Sequence, residues 1–285
     1  MERRRLGKTE EELSIIGFGG IVVMNESKLD ASRYVSKAID RGINYFDVAP
    51  QYGNAQEMLG PALKPYRNDC FLACKTLERS RVKANNDLNR SLRLLKTDHF
   101  DLYQLHGVIT IEEVEMIMGP NGAIEAFIEA KEKGIIRYIG FSAHTEESAI
   151  ALMNRYDFDS ILFPFNWACW LRDNFGPEVI KKAEEKKIGI LALKALAKRT
   201  WGKDEDKKWP KCWYAPVDNY EEASMSLRFT LSQPVTAAIA PSYAELLWWA
   251  CDIADNFKII EEEEIKILRD KAESTNTITK DLLFS

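Results

Sequence analysis

The sequence predicts an α/β fold: a (β/α)8 barrel in which residues 1–285 form one domain, with an N-terminal hairpin and a C-terminal helical extension. Three observations carry that expectation. Short apolar runs alternate with longer stretches at helical period, the alternation repeats eight times, and no linker interrupts it, which suits a closed barrel better than two doubly wound halves. With 285 residues, 46% of them hydrophobic, the chain can bury a core of the size this needs.

Taken in order, the opening "RRRLGKTEEELSIIG" leaves room for a hairpin ahead of the first strand, placed to close the barrel floor. The apolar runs read as parallel strands buried on both faces: "IIGFGG" at 15–20, "INYFDV" at 43–48, "CFLACK" at 70–75, "FDLYQLH" at 100–106, "IRYIGFS" at 136–142, "SILFPF" at 160–165, "IGILAL" at 188–193 and "VTAAIA" at 235–240. Helices are expected at 28–41, 81–96, 121–133, 145–155, 178–187, 218–231 and 243–256, with Gly42, Gly134 and Gly189 where helices stop. The longest irregular stretch, 197–216, follows the seventh strand. A loop of about 20 residues without structure of its own is uncommon unless functional, and here it belongs to the active face of a barrel. The run "IEEEEIK" at 260–266 reads as the solvated face of a helix.

Composition excludes several function classes. A net charge of −5 with both signs interspersed offers no basic stripe for nucleic acid. The N-terminus is charged, and no apolar run approaches the roughly 20 residues that cross a bilayer, so neither export nor membrane insertion is expected and the location expected is cytoplasmic. Five cysteines, at 70, 74, 169, 212 and 251, include no CxxC pair, so neither a disulfide framework nor a metal site is expected.

If these runs are barrel strands, their C-terminal ends converge, bringing together Asp47, Lys75, His106 and Ser142. Tyr52 follows Asp47 on the next loop, beside Gly53. This is a proton-donor assembly in its chemistry. Tyrosine titrates near ~10, too high for acid catalysis at neutral pH; an adjacent ammonium favours the phenolate, and a carboxylate keeps that ammonium charged and aimed. A neutral His106 can donate a hydrogen bond to a carbonyl oxygen without competing for the proton. Each residue alone has an ordinary explanation: a turn cap for Asp47, a snorkelling strand end for Lys75, a satisfied turn histidine for His106, a loop aromatic for Tyr52. Their coincidence at three successive strand ends is what points to function.

Nearly the whole chain resembles the aldo-keto reductases, barrel enzymes that pass hydride from a nicotinamide cofactor to a carbonyl. "RRRLGKTEEELSIIGFGG" is similar to the family's opening and "GINYFDVAPQYGNAQEMLG" to its signature, followed in order by "LACKT", "DLYQLHG", "GFSAH" and "LRFTLSQPVTAAIA". The resemblance implies Tyr52 as general acid, Lys75 and Asp47 as its tuning pair, and His106 as the group that orients the substrate. It implies NADP or NAD as cofactor, held by Gly20, Ile21, Asp47, Ser142, Asn166, Leu193, Lys194, Ala240, Pro241 and Ser242, and a small-molecule carbonyl compound as substrate. "GFSAHT", "LFPFN", "NFGPEVIKKAEEKKIGILALKA" and "PKCWY" look like a bacterial branch whose longer members carry a C-terminal iron–sulfur segment. This sequence closes on "TNTITKDLLFS" without the cysteine series such a cluster needs, so no cluster is expected.

The departures from the family pattern fall in the cofactor half of the site. Ala143 stands where an asparagine usually follows the serine, with His144 next; Leu162 aligns with the usual glutamine and Leu193 with the aromatic that stacks on nicotinamide. After the eighth strand "IAPSYAELLWWA" offers no cation to a 2′-phosphate, leaving Ser242 and backbone amides, with Lys194, Lys198 and Arg199 after the seventh strand as the alternative cations. Discrimination between NADPH and NADH is therefore expected to be weak, leaning slightly to NADPH. Trp167, Trp170, Trp201, Trp209, Trp213 and Tyr214 fall in post-strand loops, where they either line an apolar substrate pocket or only pack the loops down. Two other readings share the barrel: a Schiff-base lyase using Lys75, which the paired Asp47 opposes, and a cofactor-binding sensor with little turnover.

Overall fold

Eight parallel strands close on themselves in the computed structural model of the chain, which describes residues 1–274. They are β1 (Ile16–Gly19), β2 (Tyr45–Asp47), β3 (Phe71–Thr76), β4 (Phe100–Val108), β5 (Ile136–Ala143), β6 (Ser160–Phe163), β7 (Gly189–Ala192) and β8 (Ala237–Ile239). Each pairs with its neighbour in sequence, and β8 returns to β1 through Ala238↔Ile16, so the predicted barrel is present with every strand where the apolar runs place it. β4 runs two residues beyond the expected end, because Val108 still pairs with Ala143 of β5.

Outside the barrel lie α1 (Lys28–Asp40), α2 (Ala55–Leu63), α3 (Arg81–Leu95), α4 (Ile111–Met118), α5 (Ala123–Glu132), α6 (Glu146–Arg155), α7 (Trp167–Asp173), α8 (Pro177–Glu185), α9 (Tyr220–Leu231), α10 (Ala244–Asp255) and α11 (Glu262–Ser274). Local chemistry explains several starts. Ser27, Thr145 and Asn219 accept hydrogen bonds from backbone amides of the first turn, and Thr110 with Glu113 forms a reciprocal capping box. Three helices were not expected from the sequence. α2 carries Gly60 and Pro61, both breaker signals, yet Gly60 lets it approach α3 so closely that a Cβ there would meet Leu94 O at 2.6 Å. α4 and α7 are short inserts between strands, with too few turns to show a period.

Gly42 and Gly134 follow helix ends with φ of +87° and +70°, as expected. Gly189 does not stop a helix. Lys187 takes the left-handed turn after α8 with φ +56°, and Gly189 opens β7, where a Cβ would come 2.3 Å from Leu6 Cδ1. Leu6 belongs to the predicted hairpin, Arg3–Arg5 paired with Glu12–Ser14. Leu6 and Leu13 meet Tyr45, Phe71, Leu102, Leu162 and Leu191 inside the barrel and close its floor. Burial of this cluster and of the larger shell between strands and helices supplies the main favourable term of folding. The acidic run is helical as expected, in α11, but Glu264 is not merely solvated: it takes the Arg228 guanidinium of α9 in a bidentate pair at 2.6 and 2.9 Å. The segment at 275–285, on which the expectation of no iron–sulfur cluster rests, lies outside the described residues.

Candidate active site

Side chains alternate faces along a strand, and that period builds the site. Tyr45, Ala73, Leu102 and Leu191 point into the barrel floor while Phe46, Cys74, Tyr103 and Ala192 pack outward against the helices. Two residues beyond each inward floor residue come Asp47, Lys75, Gln104 and Leu193; His106, a further two along β4, continues the inward face. The polar groups therefore form the layer above an apolar floor.

Lys75 Nζ pairs with Asp47 Oδ1, and the two side chains are 1% and 2% exposed. The other carboxylate oxygen accepts from Gln104 Nε2 at 3.2 Å and from the Tyr45 hydroxyl at 3.4 Å. Burial works against the Lys75 ammonium, but Asp47 outweighs it and the pKa is raised above the ordinary lysine value. Gln104 is a member of this group that sequence reasoning missed. An amide two residues before His106 and two after Leu102, on the same face of the strand, was the available signal.

Tyr52 arrives on a turn after β2, its amide bonded to Ala49 O and its carbonyl accepting from Ala55 N. Lys75 Nζ lies 5.4 Å from the centre of its ring. The expectation that the cation brings the phenol below its ordinary pKa is not met: burial raises it, and the opposing pull of Lys75 only moderates the rise. His106 stands edge-on to Tyr52, ring centres 6.0 Å apart. Burial first, then Lys75, His144 and Arg79, hold its imidazole well below the usual histidine range, hence neutral. Its Nδ1 lies 3.1 Å from Gln51 Oε1, a contact that places the proton on Nδ1; turning the exposed Gln51 amide over places it on Nε2.

Above these groups opens a cavity of about 280 Å3 lined by Asp47, Tyr52, Lys75 and His106 together. Of the residues expected to hold a cofactor, Ile21, Asp47, Ser142, Leu193, Lys194, Ala240, Pro241 and Ser242 also line it. Two do not. Gly20 is represented in the wall by its neighbour Gly19. Asn166 is spent elsewhere: its Oδ1 caps α7 by accepting from Ala168 and Cys169 amides, and its Nδ2 donates to Lys194 O and Ala197 O at 2.9 and 2.6 Å. Lys198 and Arg199 are likewise committed, to Glu222 and Glu205. Lys194 is 8% exposed in the cavity wall, and burial lowers its pKa to about 8.

The residues present fit a nicotinamide group. Leu162, Leu193 and Ile239 offer apolar walls, and Ser142 at the end of β5 and His144 just after it are polar side chains on the wall. His144 Nδ1 is buried with no partner, and burial brings that imidazole to about 3, so it stays neutral. From the loop at 197–216, Trp213 and Tyr214 reach the cavity, Trp213 with its ring 5.9 Å from that of Tyr52. The other tryptophans pack the structure down: Trp167 is fully buried, Trp170 meets Phe229, and Trp201 and Trp209 cluster with Cys212 and Leu246. Among the described residues no helix is long and apolar enough to cross a membrane.

Residues 16–243 match the model of the Aldo/keto reductase family. The chain is 29% identical to the oxidoreductase YqkF of Bacillus subtilis, over 94% of this chain and 96% of that one. It is 27% identical to the aldo-keto reductase YhdN of the same organism, over 70% and 63% of the respective chains. Its fold is similar to that of an aldo-keto reductase from Bacillus halodurans in its holo form, with a TM-score of 0.74 at 24% identity, covering 95% of this chain and 96% of that one.

Proposed function

Because the chain belongs to the aldo/keto reductase family, oxidoreductases acting on carbonyl compounds, we propose that it reduces an aldehyde or ketone to the alcohol with NADPH or NADH. The observation that carries this reading is the buried Lys75–Asp47 pair beneath Tyr52 in a cavity that His106 also lines. When bound, the nicotinamide cofactor supplies the hydride. Tyr52 supplies the proton, to the oxygen of the carbonyl. Burial keeps the phenol protonated until the oxygen begins to gather charge, and the Lys75 ammonium then stabilises the phenolate left behind. Asp47 keeps that ammonium charged, which also removes Lys75 as a Schiff-base nucleophile. His106, neutral, donates from Nε2 to the same oxygen once the Gln51 amide nitrogen faces Nδ1.

Ser142 and His144 would hold the carboxamide of the cofactor, Leu162 and Leu193 its ring, and Lys194 its diphosphate, with Pro241 and Ser242 beside the adenosine end. Among the described residues no unpaired cation stands in the wall near Ser242 for a 2′-phosphate, so NADPH and NADH should bind within about 100-fold of each other, roughly 2.7 kcal/mol. The test is Tyr52→Phe. Carbonyl reduction should fall by about 10²–10⁴ with cofactor affinity unchanged, since only the phenolic proton is lost. A variant as fast as the parent would remove Tyr52 from the chemistry. Tight cofactor binding by the parent with no turnover of any aldehyde or ketone would favour the sensor reading instead.

A further inference from the structure

The His106–Gly107 turn is gripped from outside the cavity. Arg79 Nη2 donates to His106 O at 2.9 Å and to Gly107 O at 3.3 Å. The same guanidinium is held by Glu113 of α4, with Nε and Nη2 at 3.0 and 2.8 Å from Oε1. The other oxygen of Glu113 accepts from the amides of Ile109 and Thr110 at 2.8 and 3.3 Å. On the opposite side Ser142 Oγ accepts from Gly107 N at 2.8 Å. One guanidinium–carboxylate pair therefore collects main-chain groups from 106 to 110, across a glycine whose φ of +59° lies where the β4 register shifts between Leu105 and Val108.

We propose that Arg79 is the positioning residue of His106, setting the place of the imidazole through the main chain of the His106–Gly107 turn. This rests on the reading of His106 as the group that orients the carbonyl. Among the described residues the ring has one side-chain hydrogen-bond partner, the exposed Gln51, so no network of side-chain hydrogen bonds fixes it and its backbone contributes to its location. Charge-assisted bonds from a planar guanidinium to two carbonyls are strong and directional, and Arg79 is only 10% exposed, where such bonds weaken least. The loop that carries Arg79 is itself anchored, with Ala123 N donating to Arg79 O at 2.9 Å and Arg81 N to Asn121 O at 2.8 Å.

Arg79 has a second, electrostatic effect on the ring. The charged and titratable groups around His106 are Lys75 on β3 with Asp47 behind it on β2, Tyr52 after β2, Arg79 after β3, Glu113 on α4 and His144 after β5. After burial, the cations among them keep the imidazole neutral, and Arg79 is one of these.

The chain has three histidines, at 99, 106 and 144, so ring nitrogen signals in an NMR spectrum of the whole protein can be assigned one by one. In Arg79→Met the His106 signals should shift and broaden and its titration move to higher pH, while those of His99 stay as in the parent. Arg79→Lys should restore part of the titration and none of the line shape, since a point charge replaces the fork. Glu113→Gln, which keeps the arginine but loosens it, should shift the same signals by less and covers the case in which Arg79→Met fails to fold. In turnover, kcat/KM for an aldehyde should fall about 10–100-fold with NADPH affinity within about twofold of the parent, because the loss is confined to orientation. His106 signals in Arg79→Met and Glu113→Gln that superimpose on those of the parent would overturn the proposal. A parent that reduces no carbonyl compound, with the shifts still present, would overturn the proposed function and leave the positioning role standing.

Discussion

At the scale of single residues, the Asp47–Lys75 pair bears on the stability of the fold as well as on the proposed chemistry. Two charges at 1% and 2% exposure have each been taken out of water, and each compensates the other. Asp47→Asn leaves an ammonium with no counter-charge in a pocket floored by Leu102 and Leu191. Such a buried, uncompensated charge destabilises by about 3–5 kcal/mol. Urea unfolding should show that loss, and the double variant Asp47→Asn/Lys75→Met should recover much of it because the unpaired charge is gone. A single variant within about 1 kcal/mol of the parent would mean that water reaches Lys75 in solution.

Among the elements, the stretch at 197–216 differs most from its expectation. It is not structureless: Ala197–Arg199 pairs with Ala215–Pro216 as a short antiparallel ladder, Trp201 Nε1 donates to Cys212 O at 2.8 Å, and Lys211 pairs with Glu26 after β1. What it delivers to the cavity is Trp213, 44% exposed and tilted over Tyr52. An exposed indole beside Tyr52, the proposed proton donor, is free to cover an apolar or aromatic part of a substrate. Trp213→Ala should raise KM for an aromatic aldehyde about tenfold, near 1.4 kcal/mol, with kcat little changed, since the contact is the same in ground and transition states. Steady-state rates on benzaldehyde and on a small aliphatic aldehyde are the measurement. Equal effects on both would reduce Trp213 to a packing group.

For the whole molecule, buried titratable groups define a pH window of stability. His106 and His144 are both depressed, His144 to about 3, so as pH falls below roughly 6.5 the unfolded chain takes up protons that the native one refuses, and stability is lost, at most about 1.4 kcal/mol per pH unit for each. On the alkaline side Cys70, Cys74, Cys169 and Cys251 are pushed by burial up to about 12, so above roughly 8.5 the unfolded chain releases protons that the native one keeps, and stability falls again. Lys194, brought down to about 8, acts in the opposite sense and partly offsets that fall. The melting temperature should therefore be highest near neutral to mildly alkaline pH and lower at pH 5. His144→Gln should remove part of the acid limb. Calorimetry giving the parent the same midpoint at pH 5 and pH 7 would contradict the buried, neutral state of both rings.

The barrel and the meeting of Asp47, Tyr52, Lys75 and His106 were legible in the sequence, because strand alternation is a local period and a charged residue on the inward face at a strand end stands out against apolar neighbours. The hairpin under the floor was legible for the same reason: Leu6 and Leu13 flank a polar turn. What the polar groups beyond that layer do was decided only when the strands closed. Gln104, Asn166 and Arg79 carry ordinary side chains in ordinary local contexts; closure sets the first against Asp47, spends the second on α7 and the loop after β7, and brings the third to the register shift near the end of β4. Lys198 and Arg199 looked available as cations until Glu222 and Glu205 claimed them. The direction of the Tyr52 shift was hidden too, since a neighbouring lysine can be read from strand order while the depth of burial that outweighs it depends on everything packed above. Periodicity is a property of the chain itself, whereas charge pairing and desolvation depend on which distant segments become neighbours.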